Sequence, residues 1–347
     1  MRNVVTFTAP RTVAVRTEPD PQPNAHQVRV RTTVSGISPG TERLVLRGNA
    51  PAQLAADAAI NALDRDLSFP LTYGYCAVGR VDAVGADVDP AWQDRRVFAF
   101  QPHASAFVAA PDDLIPLPDA VSDDDAVFLP NLETAVTLAM DARPLLGETV
   151  VVLGQGIVGL LVTALLSQFP LKALYTADLN PVRRDRSEAW GATASVDPTT
   201  ETDVLHDALG IASGDAPEAA DRYEGADVVL ELTGAPDALN DAIACAGYDS
   251  RIVVGSWYGS KQAPIDLGSR FHRARMDIVS SQVSTLPPDV RGRWSRARRT
   301  QTVLDALPDL APHRLITDRV PVTNAPSLYE RLLDPPETML QPVLTYP

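Results

Sequence analysis

Cysteine, lysine and aromatic residues are scarce in this chain of 347 residues. The two cysteines, Cys76 and Cys245, are too few for a disulfide framework, and neither lies in a CxxC pair typical of a closed zinc site. Basic residues are too few to balance the acidic ones. The formal net charge of -14 therefore disfavours nucleic acid and anionic lipid as partners.

The sequence also lacks a long uninterrupted apolar run. The most apolar stretch, residues 150–166, is broken by three glycines and a glutamine, which predicts strand, turn and buried helix instead of a membrane span. The N-terminal residues carry no apolar core of the kind that a signal peptide needs. We therefore expect a cytoplasmic protein with no membrane partner.

The charged residues have an unusual make-up, with 33 Asp to 11 Glu and 28 Arg to only 2 Lys. One hypothesis is a host with a salty cytoplasm, in which surface carboxylates stay hydrated and their mutual repulsion is screened. The alternative is a GC-rich genome, which favours Arg and Asp codons. The composition alone is compatible with both.

The first third of the chain is rich in β-type patterns. Short alternating runs occupy residues 3–34 and are separated by Pro, Asn and Asp turns. Good helix formers fill residues 52–66, and strand patterns return at 73–85 and 95–110. This order predicts an antiparallel meander or barrel.

The middle of the chain alternates strands with helices. A strand, a turn and a helix cover residues 149–169, and continuous apolar strands with intervening helices follow. The later strands are predicted at 172–178, 192–197, 226–234, 250–257 and 276–283. Such alternation indicates a doubly wound parallel sheet that is covered on both faces.

A glycine-rich motif opens the first helix of this sheet, directly after the strand TVVVL. The GxGxxG spacing suits a dinucleotide, because one glycine allows the tight turn, one admits the pyrophosphate and one lets helix and strand pack closely. An acidic residue, Asp178, ends the next strand nineteen positions after Gly159, as this fingerprint expects. The predicted cofactor residues here are Gly154, Gln155, Gly156, Ile157, Val158, Gly159 and Asp178.

Asp178 also bears on the choice of cofactor. A carboxylate at this place accepts hydrogen bonds from the adenosine ribose hydroxyls and repels a 2′-phosphate, so NAD is favoured over NADP. Arg183 and Arg184 follow closely, and they either bind that phosphate or form a solvated helix start. NADP is therefore the alternative cofactor.

Two further motifs, GISPGTE at 36–42 and YGYCAVG at 73–79, precede the dinucleotide motif. With them, nearly the whole chain resembles the medium-chain dehydrogenase/reductase superfamily. The resemblance implies a β-rich GroES-like catalytic domain over 1–145, completed by 285–347, and a Rossmann dinucleotide-binding domain over 146–284. It also implies a homodimer or homotetramer that acts on a small-molecule substrate.

The resemblance breaks down at the metal ligands of the zinc-dependent members. Ser38 stands where those members have a ligand Cys, Tyr75 stands in place of the ligand His, and Cys76 replaces the adjoining Glu. Pro130 or Asn131 falls where the third ligand lies, and the four cysteines of the structural zinc lobe are also missing. The chain is similar to the zinc-free branch that includes bacteriochlorophyllide a dehydrogenase, and we expect no zinc.

Without zinc, side chains must stabilise the charge that develops on the substrate oxygen. The resemblance implies that Ser38, Thr41, Tyr75 and His103 line the substrate cleft, and Tyr75 is the first candidate for proton donor. Each also has a structural alternative, because Tyr75 can pack into the barrel, Ser38 can cap a tight turn and His103 can be a satisfied histidine.

The resemblance also assigns residues to the nicotinamide half of the cofactor. Thr134 is expected beneath the nicotinamide, and Thr233, Gly255 and Ser256 are expected beside the ribose and the ring. Glu133 is a further catalytic candidate, with a favourable charge at a helix terminus as the alternative.

An arginine-rich segment, residues 291–299, stands out against the acidic background. Its arginines and Trp294 suit a phosphate or carboxylate on a substrate. The alternative is an exposed helix whose arginines pair with aspartates. The members of this segment are Arg291, Arg293, Trp294, Arg296, Arg298 and Arg299.

The sequence thus predicts a zinc-independent, NAD(H)-preferring oxidoreductase that acts on a small alcohol, carbonyl or enone. One alternative is a zinc-dependent alcohol or polyol dehydrogenase that draws its ligands from Cys76, Glu42, His103 and Glu133. Another is an NAD-binding protein without catalytic turnover.

Overall fold

A computed structural model describes residues 1–51, 66–211 and 223–347. Apart from Asp66, the predicted helix at 52–66 lies outside the described residues. The chain divides into two compact units, of which the first comprises Met1–Pro130 with Gln301–Pro347 and the second Asn131–Thr300. Residues 131–145 and 285–300 thus fall in the second unit, whereas the sequence analysis assigned them to the first domain.

The described residues form fifteen strands and ten α-helices. The strands are β1 (Arg2–Ala9), β2 (Thr12–Glu18), β3 (Val28–Gly36), β4 (Ala77–Val84), β5 (Arg96–Ala99), β6 (Ala106–Ala109), β7 (Leu114–Pro116), β8 (Thr149–Leu153), β9 (Ala173–Ala177), β10 (Ala194–Val196), β11 (Ala226–Glu231), β12 (Ala246–Val254), β13 (Asp277–Ser280), β14 (Ile316–Pro321) and β15 (Gln341–Thr345). The helices are α1 (Thr41–Leu46), α2 (Asp123–Ala126), α3 (Leu129–Ala142), α4 (Ile157–Leu166), α5 (Pro181–Ala189), α6 (Thr202–Ala208), α7 (Ala238–Cys245), α8 (Arg270–Arg273), α9 (Arg296–Leu310) and α10 (Ala325–Leu333). Among these described helices, none has both the length and the hydrophobicity needed to cross a membrane.

The first unit is built on a mostly antiparallel sheet. Its strands run in the order β14-β15-β3-β4-β5-β7, and β6 also pairs with β3. The N-terminal strands β1 and β2 form a separate antiparallel hairpin. Because β3 alternates more buried with less buried residues along most of its length, one face of the sheet packs on a core, as the alternating sequence predicted.

The core of the first unit brings the two ends of the chain together. Phe7 of β1 packs edge-on against Tyr329 of α10, with 5.1 Å between the ring centroids. The last strand, β15, pairs antiparallel with β3 at Val343↔Gly36. Residues near the C-terminus therefore complete the β-rich unit, and they reach the segment that carries the GISPGTE motif.

The second unit contains a six-stranded parallel sheet in the order β10-β9-β8-β11-β12-β13. All five residues of β8 are buried, since helices cover both faces of a doubly wound sheet. The predicted fold class, a β-rich unit plus a parallel α/β unit, is confirmed. The strand order reverses between β8 and β11, which is where such sheets bind ligands at their carboxyl ends.

Candidate dinucleotide and catalytic sites

Two glycines of the GxGxxG loop are required by the packing of the protein itself. Gly154 follows β8 with φ +90°, and a Cβ on it would stand 2.7 Å from the carbonyl carbon of Leu232. A Cβ on Gly159 would stand only 1.9 Å from the carbonyl oxygen of Gly154. No side chain fits at either position, so glycine is needed to let α4 cross close to the strand.

Gly156 is different, because a Cβ there would meet no protein atom within 4 Å. The residue is the N-cap of α4 and has no side chain to satisfy the first amides of the helix. Open space in front of a helix N-terminus suits an anionic group such as a pyrophosphate. The loop therefore fits a dinucleotide.

Asp178 follows β9 and is 9% exposed. Its Oδ2 accepts a hydrogen bond from the amide of Gln155 at 2.6 Å, and its Oδ1 accepts one from the amide of Asn180 at 2.8 Å. The Arg183 guanidinium lies 3.8 Å from Oδ2, whereas Arg184 donates to the carbonyls of Asp178 and Leu179. The carboxylate thus ties the glycine loop to the end of β9.

The side chains inside the loop are structural. Gln155 is fully buried. Its side-chain Nε2 donates to the Val152 carbonyl at 3.3 Å, and its side-chain Oε1 accepts from the Thr163 hydroxyl at 3.0 Å. Ile157 is buried as well, and Val158 is half-buried.

The carboxyl ends of β11 and β12 carry the residues predicted for the nicotinamide half. Ser256 Oγ accepts a hydrogen bond from the Gly234 amide at 2.8 Å. Thr233 donates its amide at 2.8 Å and its hydroxyl at 2.5 Å to Glu231, whose side chain is fully buried. Tyr258 also donates to Glu231, at 2.5 Å, and burial raises the pKa of its hydroxyl.

The sequence analysis missed three residues at this edge of the sheet. Glu231 ends the apolar strand ADVVLE, and an acidic residue in such a buried run is the sequence feature that could have identified it. No comparable sequence feature points to Tyr258 or Lys261. The Lys261 ammonium donates to the Gly234 carbonyl at 2.6 Å. Their contacts come from the return of the loop after β12.

Glu133 lies in α3 and is 5% exposed. It accepts a hydrogen bond from the Thr300 hydroxyl at 2.6 Å and forms an ion pair with Arg299 at 3.4 Å. Arg299 is 4% exposed and also donates to Thr137. Glu133 is therefore held in a buried ion pair, and its neighbour Thr134 is half-buried on the same helix.

The exposed members of the arginine-rich segment make local contacts. Arg291, Arg296 and Arg298 donate to the backbone carbonyls of Leu286, Ser284 and Arg293, respectively. The guanidinium of Arg298 also stacks 4.1 Å from the centroid of the Trp294 ring. These contacts fix the fold of the segment before α9.

In the first unit, three of the predicted catalytic residues converge. The side chains of Ser38 and Thr41 lie beside the Tyr75 hydroxyl. Burial raises the pKa of Tyr75 to about 12, although the neighbouring Ser38 and Thr41 side chains lower it. Tyr75 is therefore a neutral phenol at physiological pH.

His103 lies next to this group of hydroxyls as part of a buried network. Its Nε2 is 3.1 Å from Oε2 of Glu42, and its Nδ1 is 2.7 Å from Oγ of Ser35. Glu42 accepts the Ser38 amide at 2.8 Å and the Tyr329 hydroxyl at 2.5 Å, and Ser35 contacts the Tyr346 hydroxyl at 2.8 Å. His103, Glu42 and Ser35 have no exposed surface.

Ser35, Tyr329 and Tyr346 were missed as parts of the site. Tyr329 is 287 residues away from Glu42 in sequence, and Tyr346 is 311 residues away from Ser35. No local pattern signals such contacts, and only the return of the C-terminal segment creates them.

The side chains named as conceivable zinc donors are used elsewhere. Glu42 and His103 bond to each other, the Cys76 thiol lies 3.1 Å from the Val127 carbonyl and Glu133 pairs with Arg299. In residues 1–51, 66–211 and 223–347, no group of three or more His, Cys, Asp or Glu side chains is placed to hold a metal ion. These donors do not fit the tetrahedral site of zinc-dependent dehydrogenases.

Comparisons with known proteins agree with this architecture. The family described as zinc-binding dehydrogenase matches residues 158–299, which do not include Ser38 or Tyr75. D-guloside 3-dehydrogenase of Escherichia coli K12 is 24% identical over 98% of both chains. L-threonine 3-dehydrogenase of Alteromonas mediterranea is 31% identical over 40% of this chain and 37% of its own.

Solved structures share the fold over the full length. An alcohol dehydrogenase of E. coli CFT073, solved with NADH, has a TM-score of 0.78 at 19% identity and covers 99% of both chains. The 2R,3R-butanediol dehydrogenase of Bacillus subtilis has a TM-score of 0.76 at 18% identity, again over 99% of both. The chain therefore shares the fold of these dehydrogenases, and residues 158–299 match the zinc-binding dehydrogenase family.

The open space at Gly156 yields a testable prediction. In Gly156→Ala, we expect NADH to bind about 10-fold or more weakly, because the methyl group occupies the approach of the pyrophosphate, while thermal stability changes little. In Gly159→Ala, stability should fall together with affinity, since the methyl group overlaps the Gly154 carbonyl. Fluorescence titration with NADH and thermal unfolding measure both quantities. Unchanged NADH affinity in Gly156→Ala would contradict this placement of the pyrophosphate.

Proposed function

We propose that this protein is a zinc-independent oxidoreductase that transfers hydride between NAD(H) and a small alcohol, carbonyl or enone. The observation that carries the proposal is the convergence of the Ser38, Thr41 and Tyr75 side chains. By the resemblance, Ser38 and Tyr75 stand at positions that hold zinc in metal-dependent members, and here their side chains lie side by side. Hydroxyl groups thus replace the metal as the electrophilic element.

Each of the three residues has a definite task in this proposal. When bound, NAD supplies the carbon that donates or accepts hydride. The neutral Tyr75 phenol donates a hydrogen bond to the substrate oxygen and stabilises the negative charge that builds up there. Ser38 and Thr41 orient the phenol through their own hydroxyls, which makes its direction independent of the substrate.

Metal analysis and one substitution test the chemistry. A panel of carbonyls and enones with NADH first identifies a substrate for the purified protein. We expect zinc to be far below one atom per chain, EDTA to leave kcat unchanged, and Tyr75→Phe to lower kcat about 100-fold because one preorganised donor is lost. Tyr248→Phe, which alters an exposed tyrosine of the second unit, is the matched control.

Two results would overturn this chemistry. Stoichiometric zinc that EDTA removes together with activity would favour a zinc-dependent dehydrogenase with substituted ligands. Tight NADH binding without turnover on any of the carbonyls or enones would favour a nucleotide-binding protein that has lost catalysis.

The proposed preference for NAD over NADP rests on Asp178. Its carboxylate is fixed by two backbone amides, so it cannot turn away from a ligand at the end of β9. A 2′-phosphate beside this charge is repelled. The nearby positive charges are those of Arg183, 3.8 Å from Oδ2, and of Arg184, whose guanidinium is engaged by the carbonyls of Asp178 and Leu179. We therefore expect the repulsion by Asp178 to outweigh the attraction by Arg183.

Binding measurements test this preference. NADH should bind at least about 10-fold more tightly than NADPH, since a charge-assisted hydrogen bond contributes 1.5–3 kcal/mol. Asp178→Ala should weaken the binding of NADH and reduce the difference in affinity between NADH and NADPH. Arg183→Gln, as the paired control, should leave NADH affinity nearly unchanged. Tighter binding of NADPH by the wild type would refute the assignment of Asp178.

We also propose that the acidic surface is an adaptation to a salty cytoplasm. Exposed carboxylates such as Asp112, Asp113 and Asp119 repel one another at low salt, and this repulsion is screened as salt rises. The unfolding temperature and activity should therefore be higher in about 3 M KCl than in about 0.1 M KCl. Full stability and activity at the lower concentration would favour a GC-rich genome as the cause of the composition.

The expected localisation and oligomeric state are proposals that rest on the same resemblance. The protein would act in the cytoplasm as a homodimer or homotetramer. Strand β13 supports this assembly, because it is an end strand of the six-stranded sheet and offers an edge for pairing.

A further inference from the structure

We propose that Glu42 and His103 form a buried positioning pair, which fixes the turn that carries Ser38 and Thr41 so that these hydroxyls orient Tyr75 for reaction. The inference rests on the proposed function, since it concerns how the same hydroxyl group is held. Neither Glu42 nor His103 has exposed surface, so both act through other residues and not by contact with substrate.

The hydrogen-bond directions in the network all lead toward Glu42. The Ser38 amide and the Tyr329 hydroxyl donate to this carboxylate, and burial without such donors would be costly. The carboxylate has no proton to give, so the facing Nε2 of His103 is the donor in that contact.

The tautomer of His103 then determines the rest of the network. With the proton on Nε2, Nδ1 is an acceptor and takes the Ser35 hydroxyl proton. Ser35 Oγ in turn accepts from Tyr346. A neutral imidazole with its proton on Nε2 gives each of these contacts one donor and one acceptor, and this is the tautomer that the proposal assigns.

His103 also connects the segments that carry the proposed catalytic residues. Its amide donates to the Tyr73 carbonyl at 3.1 Å, and its carbonyl accepts from the Val5 amide at 3.0 Å. Gly74 lies directly against the imidazole, because a Cβ on Gly74 would be 2.4 Å from Cδ2 of His103. Tyr75 is the next residue, so the imidazole fixes the backbone that presents it.

Glu42 holds the other side of the hydroxyl group. Its Oε1 accepts the amide of Ser38, and its own amide donates to the carbonyl of Ser38 at 3.0 Å. This pair of contacts closes the turn before α1 at both ends. Glu42 therefore positions Ser38 and Thr41, while His103 positions Tyr75, and the two side chains hold each other.

Substitutions that separate shape from hydrogen bonding test the pair. His103→Gln keeps an acceptor toward Ser35 and a donor toward Glu42, whereas His103→Leu removes both. Glu42→Gln keeps the shape but replaces one acceptor with a donor. His313→Leu is the matched control, because His313 also bonds a buried acid of the first unit, Asp125, at 2.8 Å.

The expected results are differences in kcat. Glu42→Gln and His103→Leu should lower kcat about 10- to 100-fold, since small misplacements of catalytic groups have effects of this size. His103→Gln should restore kcat to within about 3-fold of the wild type, and His313→Leu should leave it unchanged. The Kd for NADH should stay constant throughout, because the predicted cofactor residues belong to the second unit.

Two kinetic outcomes would overturn the proposal. One is a wild-type kcat in Glu42→Gln. The other is a loss of kcat in His103→Gln as large as that in His103→Leu. Glutamine keeps both hydrogen bonds, so equal losses would mean that these hydrogen bonds do not position Tyr75. If His103→Leu does not fold, Glu42→Gln and His103→Gln decide the question.

Nitrogen NMR provides a test that does not depend on turnover. In protein labelled with 15N at histidine rings, and with His103→Gln used for assignment, the His103 signals should be those of a neutral ring protonated at Nε2. A ring protonated at Nδ1 or at both nitrogens would overturn the assigned network. Absent turnover in the wild type would refute the proposed function, whereas the NMR result tests the positioning pair alone.

Discussion

The first unit depends on the satisfaction of one buried charge, the carboxylate of Glu42. A carboxylate without water is stable only when donors surround it, and Glu42 collects donors from a backbone amide, a phenol and an imidazole. These donors come from the GISPGTE turn, from α10 and from the segment before β6. The requirement to satisfy one charge therefore joins the two ends of the chain and orders the turn beside Tyr75.

The same principle recurs in the second unit. Asp178 closes the glycine loop through two backbone amides, Glu231 holds the loop after β12 through Tyr258, and Glu133 pairs with Arg299. Each of these carboxylates is nearly or fully buried and well provided with partners. In a chain with a large excess of acid, most carboxylates face water, and these few organise the interior near the predicted functional residues.

On our proposal, hydroxyl groups stand in for zinc ligands, which changes what the neighbouring residues must do. A metal ion orients its own ligands and polarises the substrate oxygen, whereas hydroxyls need support from the surrounding structure. In this chain, the network around Glu42 and His103 supplies that support on our proposal. The stiffness that a metal would provide is then distributed over several hydrogen bonds.

The sequence by itself determined the fold class and the nucleotide motif, because both depend on local order. Alternating and continuous apolar runs distinguish the antiparallel from the parallel sheet, and the spacing of Gly154, Gly156 and Gly159 follows from one turn between a strand and a helix. Asp178 was identified for the same reason, since it ends the next strand. The prediction that Ser38 and Tyr75 replace metal ligands also comes from the sequence, because their motifs are contiguous.

The side chains that surround these residues are set by how distant parts of the chain pack together. The partners of Glu42 and Ser35 include Tyr329 and Tyr346, which no local pattern connects to them. The partner of Glu133 was likewise unforeseen, since Arg299 had been grouped with exposed arginines. Contacts between distant segments depend on how the chain returns to its own beginning, and that return is a property of packing, which local periodicity does not encode.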